Sequence, residues 1–98
     1  MKFYHATHKD NLGAILTTGL KPGIDGYTYL CKDPVDAAKF VFIRGIKDIV
    51  VFEVDLDEDE VEETFDHSEV FFKCKAYGTT KHINANRIRN VYDYSIAD

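Results

Sequence analysis

Asp10-Asn11-Leu12-Gly13-Ala14-Ile15-Leu16-Thr17-Thr18-Gly19-Leu20 is the stretch that decides how the first half of this chain folds. Leu12, Ile15 and Leu16 recur at the spacing of one helix face, which predicts a helix over 10–18. Asp10 suits the amino-terminal end, where backbone N–H groups lack partners. Gly19 suits the other end, because glycine takes the left-handed turn there without a steric cost, and Leu20 follows it.

Working outward, Lys2-Phe3-Tyr4-His5 reads as a short, aromatic-rich first strand. On the other side, 21–26 holds a proline and two glycines and reads as a loop. Tyr27 to Cys31 reads as a second strand. Asp33-Pro34 then opens a second helix, with the aspartate as cap and the proline at the first helical position. Its expected apolar face is Val35, Ala38, Val41 and Phe42, and Gly45 ends it. Ile49 to Asp55 is the strongest strand in the chain, three β-branched residues followed by alternation. Glu69 to Lys75 and Arg87 to Tyr92 suggest two more strands. There is no internal repeat and no linker. The order β-α-β-α followed by several strands predicts one α+β domain over 1–98, with a mainly antiparallel sheet and two short helices in its first half.

The bulk numbers bound the function. Ninety-eight residues, 45% hydrophobic and 13% aromatic, suit one small globular core. The longest apolar runs, Phe40 to Ile43 and Ile49 to Phe52, are far too short for a membrane span. The start, Met1-Lys2-Phe3-Tyr4-His5, lacks the apolar stretch of a signal peptide, so a cytoplasmic location is expected. Cys31 and Cys74 lie in strand-like contexts and read as small buried hydrophobes. Histidines 5, 8, 67 and 82 have no metal-ligand spacing, and no metal is expected.

Charge is uneven beneath the net value of −5. Residues 1–47 carry seven Lys/Arg against four Asp/Glu, 48–69 hold eleven acids and no base, and 70–98 hold five bases against two acids. The acidic total argues against broad nucleic-acid binding, while the positive first half suits a phosphate-bearing ligand. The run Asp55-Leu56-Asp57-Glu58-Asp59-Glu60 lacks the glycine and spacing of a calcium loop and reads as a solvated face.

Tyr4-His5-Ala6-Thr7, then Asn11, Ile15-Leu16 and Gly19-Leu20, resembles the opening of the ADP-ribosyltransferases of the poly(ADP-ribose) polymerase and diphtheria-toxin type. Tyr29-Leu30-Cys31 with Ala37-Ala38 and Phe40 looks like that family's second strand and following helix. The resemblance covers residues 3–42. A similar strand and helix open the DNA-targeting ADP-ribosyltransferases and the tRNA 2′-phosphotransferases. The latter grip phosphate with several arginines, whereas this chain has only Arg44, Arg87 and Arg89, none of them in the first-strand motif.

The resemblance implies NAD as substrate and a split α+β sheet. It implies cleavage of the nicotinamide–ribose bond through an oxocarbenium-like transition state, with transfer of ADP-ribose to a macromolecular acceptor that the sequence does not identify. His5 would then bond the adenosine-side ribose, Thr7 would add a polar contact, and the Ala6 backbone would hold the carboxamide. Tyr29 would stack on the nicotinamide, and Ala38, on the helix after the second strand, would be a further NAD-binding residue. Such a reaction also needs a carboxylate near the developing positive charge. Glu69 is the first candidate by its place in the chain, Glu53 the second, and Glu62 and Glu63 read as surface acids. Asp66 reads as a turn residue ahead of the strand, with His67 beside it. Two alternatives stand beside the transferase: a non-catalytic pocket for an ADP-ribose-type nucleotide, and an acidic inhibitor or adaptor docking through 53–69. A glycohydrolase passing the ribose to water is a variant of the first reading.

Overall fold

In the computed structural model the described residues are 1–64 and 76–96. They form two three-stranded antiparallel sheets and two short helices. The strands are β1 (Lys2–His8), β2 (Thr28–Leu30), β3 (Ile49–Asp55), β4 (Glu62–Thr64), β5 (Ala76–Thr79) and β6 (Ile88–Asp93); the helices are α1 (Leu12–Thr18) and α2 (Pro34–Phe42). The first sheet has the order β1-β3-β6 and the second β2-β5-β4. No helix among the described residues is long and apolar enough to cross a membrane.

β3 is central because, among the described strands, it is the one apolar enough to be covered on both faces. Ile49, Val50, Val51, Phe52 and Val54 are all buried. Such a continuous run belongs to a strand with packing above and below it. Its even-numbered residues join Phe3, Leu20, Leu30, Leu56 and Ile83 in one core, against which Leu12 and Ile15 of α1 pack. Ile49 and Val51 join Cys31 and the α2 residues Ala37, Ala38 and Val41 in the other.

Several expectations need correction. β1 runs three residues beyond the predicted strand, since it pairs with β3 along its whole length, from Lys2 opposite Asp55 to His8 opposite Ile49. The first helix begins as a 3₁₀ turn over Lys9–Asn11, and the His8 ring, through Nδ1, accepts the Asp10 N–H at 3.0 Å. Asp33 caps α2 as expected, accepting from the Val35 N–H at 2.8 Å. The buried face of α2 is different: Ala37, Ala38 and Val41 point inward, while Val35 and Phe42 are exposed. Small side chains let α2 lie close to the sheet, and this turns the larger ones outward. The helix also stops at Phe42, before Gly45, which takes φ +88° in the turn that follows. The predicted strand at 69–75, with Cys74, lies outside the described residues; the strand described next is β5, and Gly78 lies within it.

The acidic run is partly built into the fold. Over 57–60 it forms a 3₁₀ turn closed by a capping box. Glu60 receives two bonds from the Arg87 guanidinium, at 2.8 and 3.2 Å, and Arg87 Nε also donates to the Asp55 carbonyl at 2.9 Å. This pairing holds the Glu60 carboxyl below its ordinary range.

Candidate functional site

β1 meets the end of β2 at an isolated bridge, where Tyr4 and Cys31, the residue after β2, exchange backbone hydrogen bonds at 2.8 and 2.9 Å. Beyond it, the His5 ring takes the place of a ladder bond, with Nδ1 2.8 Å from the Tyr29 carbonyl oxygen. A carbonyl only accepts, so Nδ1 carries the proton and a neutral ring has its lone pair on Nε2. Burial lowers the His5 pKa from 6.5, although the Tyr29 carbonyl pulls the other way. At neutral pH His5 therefore offers Nε2 as an acceptor, suited to a ligand hydroxyl.

A cleft opens at this junction. It is lined by Tyr4, His5 and Ala6 from β1, Tyr29 and Cys31 from β2 and the residue after it, and Ala37, Phe40, Val41 and Arg44 from α2 and its end. Its volume is about 80 Å³, roughly half of the ~150 Å³ cavity that takes benzene. A flat ring therefore enters only in part, with its outer edge at the mouth. His5 also borders a second, wider concavity of about 360 Å³, shared with Thr7, Asn11, Thr18 and Lys21 among others. The Asn11 amide donates to the Thr7 hydroxyl oxygen at 2.9 Å, which fixes that hydroxyl at the rim.

Tyr29 is held as firmly as His5. Its hydroxyl donates to the Asp25 carboxylate, and its ring packs on that of Tyr27 with centroids 6.0 Å apart. The Tyr29 bond, with the Tyr27 N–H behind it, lowers the Asp25 pKa. The loop over 21–26 thus braces the cleft through Asp25.

The sequence-predicted residues divide cleanly. His5, Ala6 and Tyr29 meet at the cleft and Thr7 at the adjoining concavity. Ala38 does not line the cleft. It is buried in the core between α2 and β3, and its neighbour Ala37 faces the opening instead. Glu69, Asp66 and His67 lie outside the described residues. Glu53 does not line the cleft either. Its buried carboxylate accepts from Asn90 Nδ2 at 2.8 Å, from the Tyr4 hydroxyl at 3.1 Å and from the Tyr92 hydroxyl at 3.2 Å. The Asn90 bond leads in holding the Glu53 pKa below 4.5, against the opposing effect of burial. Glu62 and Glu63 are exposed on β4.

Sequence reasoning missed Arg44. A signal existed: Ala37, Val41 and Arg44 follow the i, i+4, i+7 spacing of one helix stripe. The first two face the cleft, so the stripe extended past the helix end points to the third. The chain matches no protein-family model and no curated protein.

Proposed function

We propose that this chain is a small ADP-ribosyltransferase-type domain that binds NAD across the two concavities joined at His5. One observation carries the reading. Residues singled out by resemblance, 24 positions apart in the chain, are locked together at 2.8 Å where the two strands part. In this reading the nicotinamide ring enters the small cleft beside Tyr29, and the adenosine end lies along Thr7, Asn11 and Lys21. His5 Nε2 accepts from a ribose hydroxyl between them. Cleavage breaks the bond from ribose to the ring nitrogen, nicotinamide leaves with the electron pair, and the acceptor's nucleophile, losing its proton, bonds to the ribose carbon. The protein's part is to orient the dinucleotide and place negative charge near the ribose.

A second reading has its own support. Among the described residues, neither concavity is lined by an aspartate or glutamate. That favours a pocket that binds the nucleotide without turning it over, unless Glu69 supplies the carboxylate.

Titration calorimetry with NAD and a nicotinamide-release assay separate the two. The transferase reading expects binding, release, and a Glu69→Gln variant that binds but does not release. His5→Ala removes one hydrogen bond at the junction and should weaken binding about tenfold. Binding without release by the unmodified protein selects the second reading; absence of binding rejects both.

A further inference from the structure

We propose that the free edge of β6 pairs with β6 of a second copy of this chain, about a twofold axis at Val91, giving a continuous six-stranded sheet. The inference is independent of the nucleotide reading. It begins with which edges are open among the described residues. β1 is bridged on its outer side at Tyr4 by Cys31, the residue after β2. β4 ends the second sheet, and its exposed Glu62 and Glu63 would face like charges in a copy of themselves. β6 ends the first sheet, is exposed along nearly all its length, and carries no such repulsion.

The hydrogen-bond alternation fixes which groups β6 presents. Tyr94 N–H donates to the Ile49 carbonyl at 2.9 Å. In the same register Tyr92 faces Val51 and Asn90 faces Glu53, so these residues turn their backbone groups inward. Val91 and Asp93 then turn theirs to the open edge. Antiparallel pairing centred on Val91 sets it opposite the partner's Val91, Asn90 opposite the partner's Tyr92, and Arg89 opposite the partner's Asp93.

Chemistry and register agree in this arrangement. Val91 meets its own kind, and the residue is 39% exposed in the free chain. Arg89 and Asp93 are each half exposed; within the chain Arg89 lies 3.9 Å from Asp55 and Asp93 2.8 Å from Lys9, and the proposed pairing would set each beside the partner's opposite charge at the two ends of the contact. Lys9 Nζ, 2.8 Å from Asp93, steadies that carboxylate from its own chain. An edge strand is ordinarily protected by charge, but here the charges at 89 and 93 are opposite and symmetric about the centre. They repel a misregistered copy and attract this one. The contact is small for a protein interface, so association in the upper micromolar range is expected rather than a permanent dimer.

Sedimentation velocity on the whole chain, as a dilution series up to millimolar concentration, is the test. Wild type should shift from monomer to dimer across the series. Arg89→Asp and Asp93→Arg should each be monomeric, because each places like charges opposite one another. Mixing the two variants should restore dimer, since their charges then complement. Val91→Pro should abolish dimer with an unchanged circular dichroism spectrum, because the lost N–H points outward and serves no bond among the described residues. A wild-type chain that stays monomeric overturns the proposal and leaves the edge to an extended segment of another protein. Dimer that survives Arg89→Asp and Val91→Pro, or a mixture that fails to associate, overturns it as well.

Discussion

Glu53 is 3% exposed at the middle of the central strand, and its charge is held by three neutral donors from β1 and β6. Glutamine there would turn an amide donor toward groups that are themselves donors. We expect Glu53→Gln to cost about 2–4 kcal/mol in urea unfolding at neutral pH. The same carboxylate sets part of the pH dependence. Its folded pKa lies below 4.5, so its stabilisation is present above that value and is lost as pH falls through the folded one. His5 acts in the same direction over a higher range. Its folded pKa lies below 6.5, so stability declines as pH drops from 6.5 toward that lowered value, where the unfolded chain takes a proton that the folded one refuses. Urea midpoints should therefore be flat above neutrality and fall in two stages in acid. His5→Gln should flatten the upper stage and Glu53→Gln should reduce the lower, to which Asp25 and Glu60 also contribute. A single stage untouched by either variant would show these assignments to be wrong. The two residues also differ in how they could be read. His5 and Tyr29 sit in short local patterns that quote themselves. Glu53 is bonded to residues 37 to 49 positions away, and no spacing along the chain announces that.

Among the elements, α2 was the easiest to place and the easiest to misorient. Asp33-Pro34 states its start in two residues, whereas hydrophobic rank favours Val35 and Phe42 over the alanine that faces the cleft. The surface receiving the helix decides its rotation, and that surface is made by β1 and β3, distant in sequence. Gly19 is a similar case. Its role as helix stop is readable, but its closeness to Ile83 is not. A side chain there would place Cβ 2.1 Å from the Ile83 carbonyl oxygen, at a φ of +85°. That contact exists because Leu20 and Ile83 exchange backbone bonds across 63 positions, at 2.8 and 2.9 Å. Gly19→Ala should accordingly cost roughly 3 kcal/mol. Asp33→Ala, which removes a solvent-exposed cap, should cost only about 1 kcal/mol. Chemical denaturation of the two variants side by side checks the order; equal losses would mean that the loop at Ile83 yields.

At the scale of the whole molecule, β3 takes its two neighbours from opposite ends of the described chain, β1 and β6. The antiparallel character of the sheets was legible from strand patterns; their strand order was not, because alternation says which face is buried and nothing about which strand lies beside it. Removing residues 88–96 takes away Asn90 and Tyr92 from Glu53, Ile88 from one core and Tyr94 from the other. We expect the shortened chain to lose its near-ultraviolet circular dichroism and its cooperative thermal transition. Retention of both would make β6 an accessory to the fold.

That strand order also has a consequence in time. β1 and β3 are complete once residue 55 has been made, but β6 is still to come, and until it is synthesised β3 keeps a bare edge and Glu53 lacks two of its three donors. A nascent or partly folded chain in which β6 has not yet paired therefore leaves the edge of this apolar strand open to other chains. The acids over 55–63, synthesised directly behind that strand, give the emerging intermediate a like charge that keeps neighbouring copies apart until the last strand closes over it.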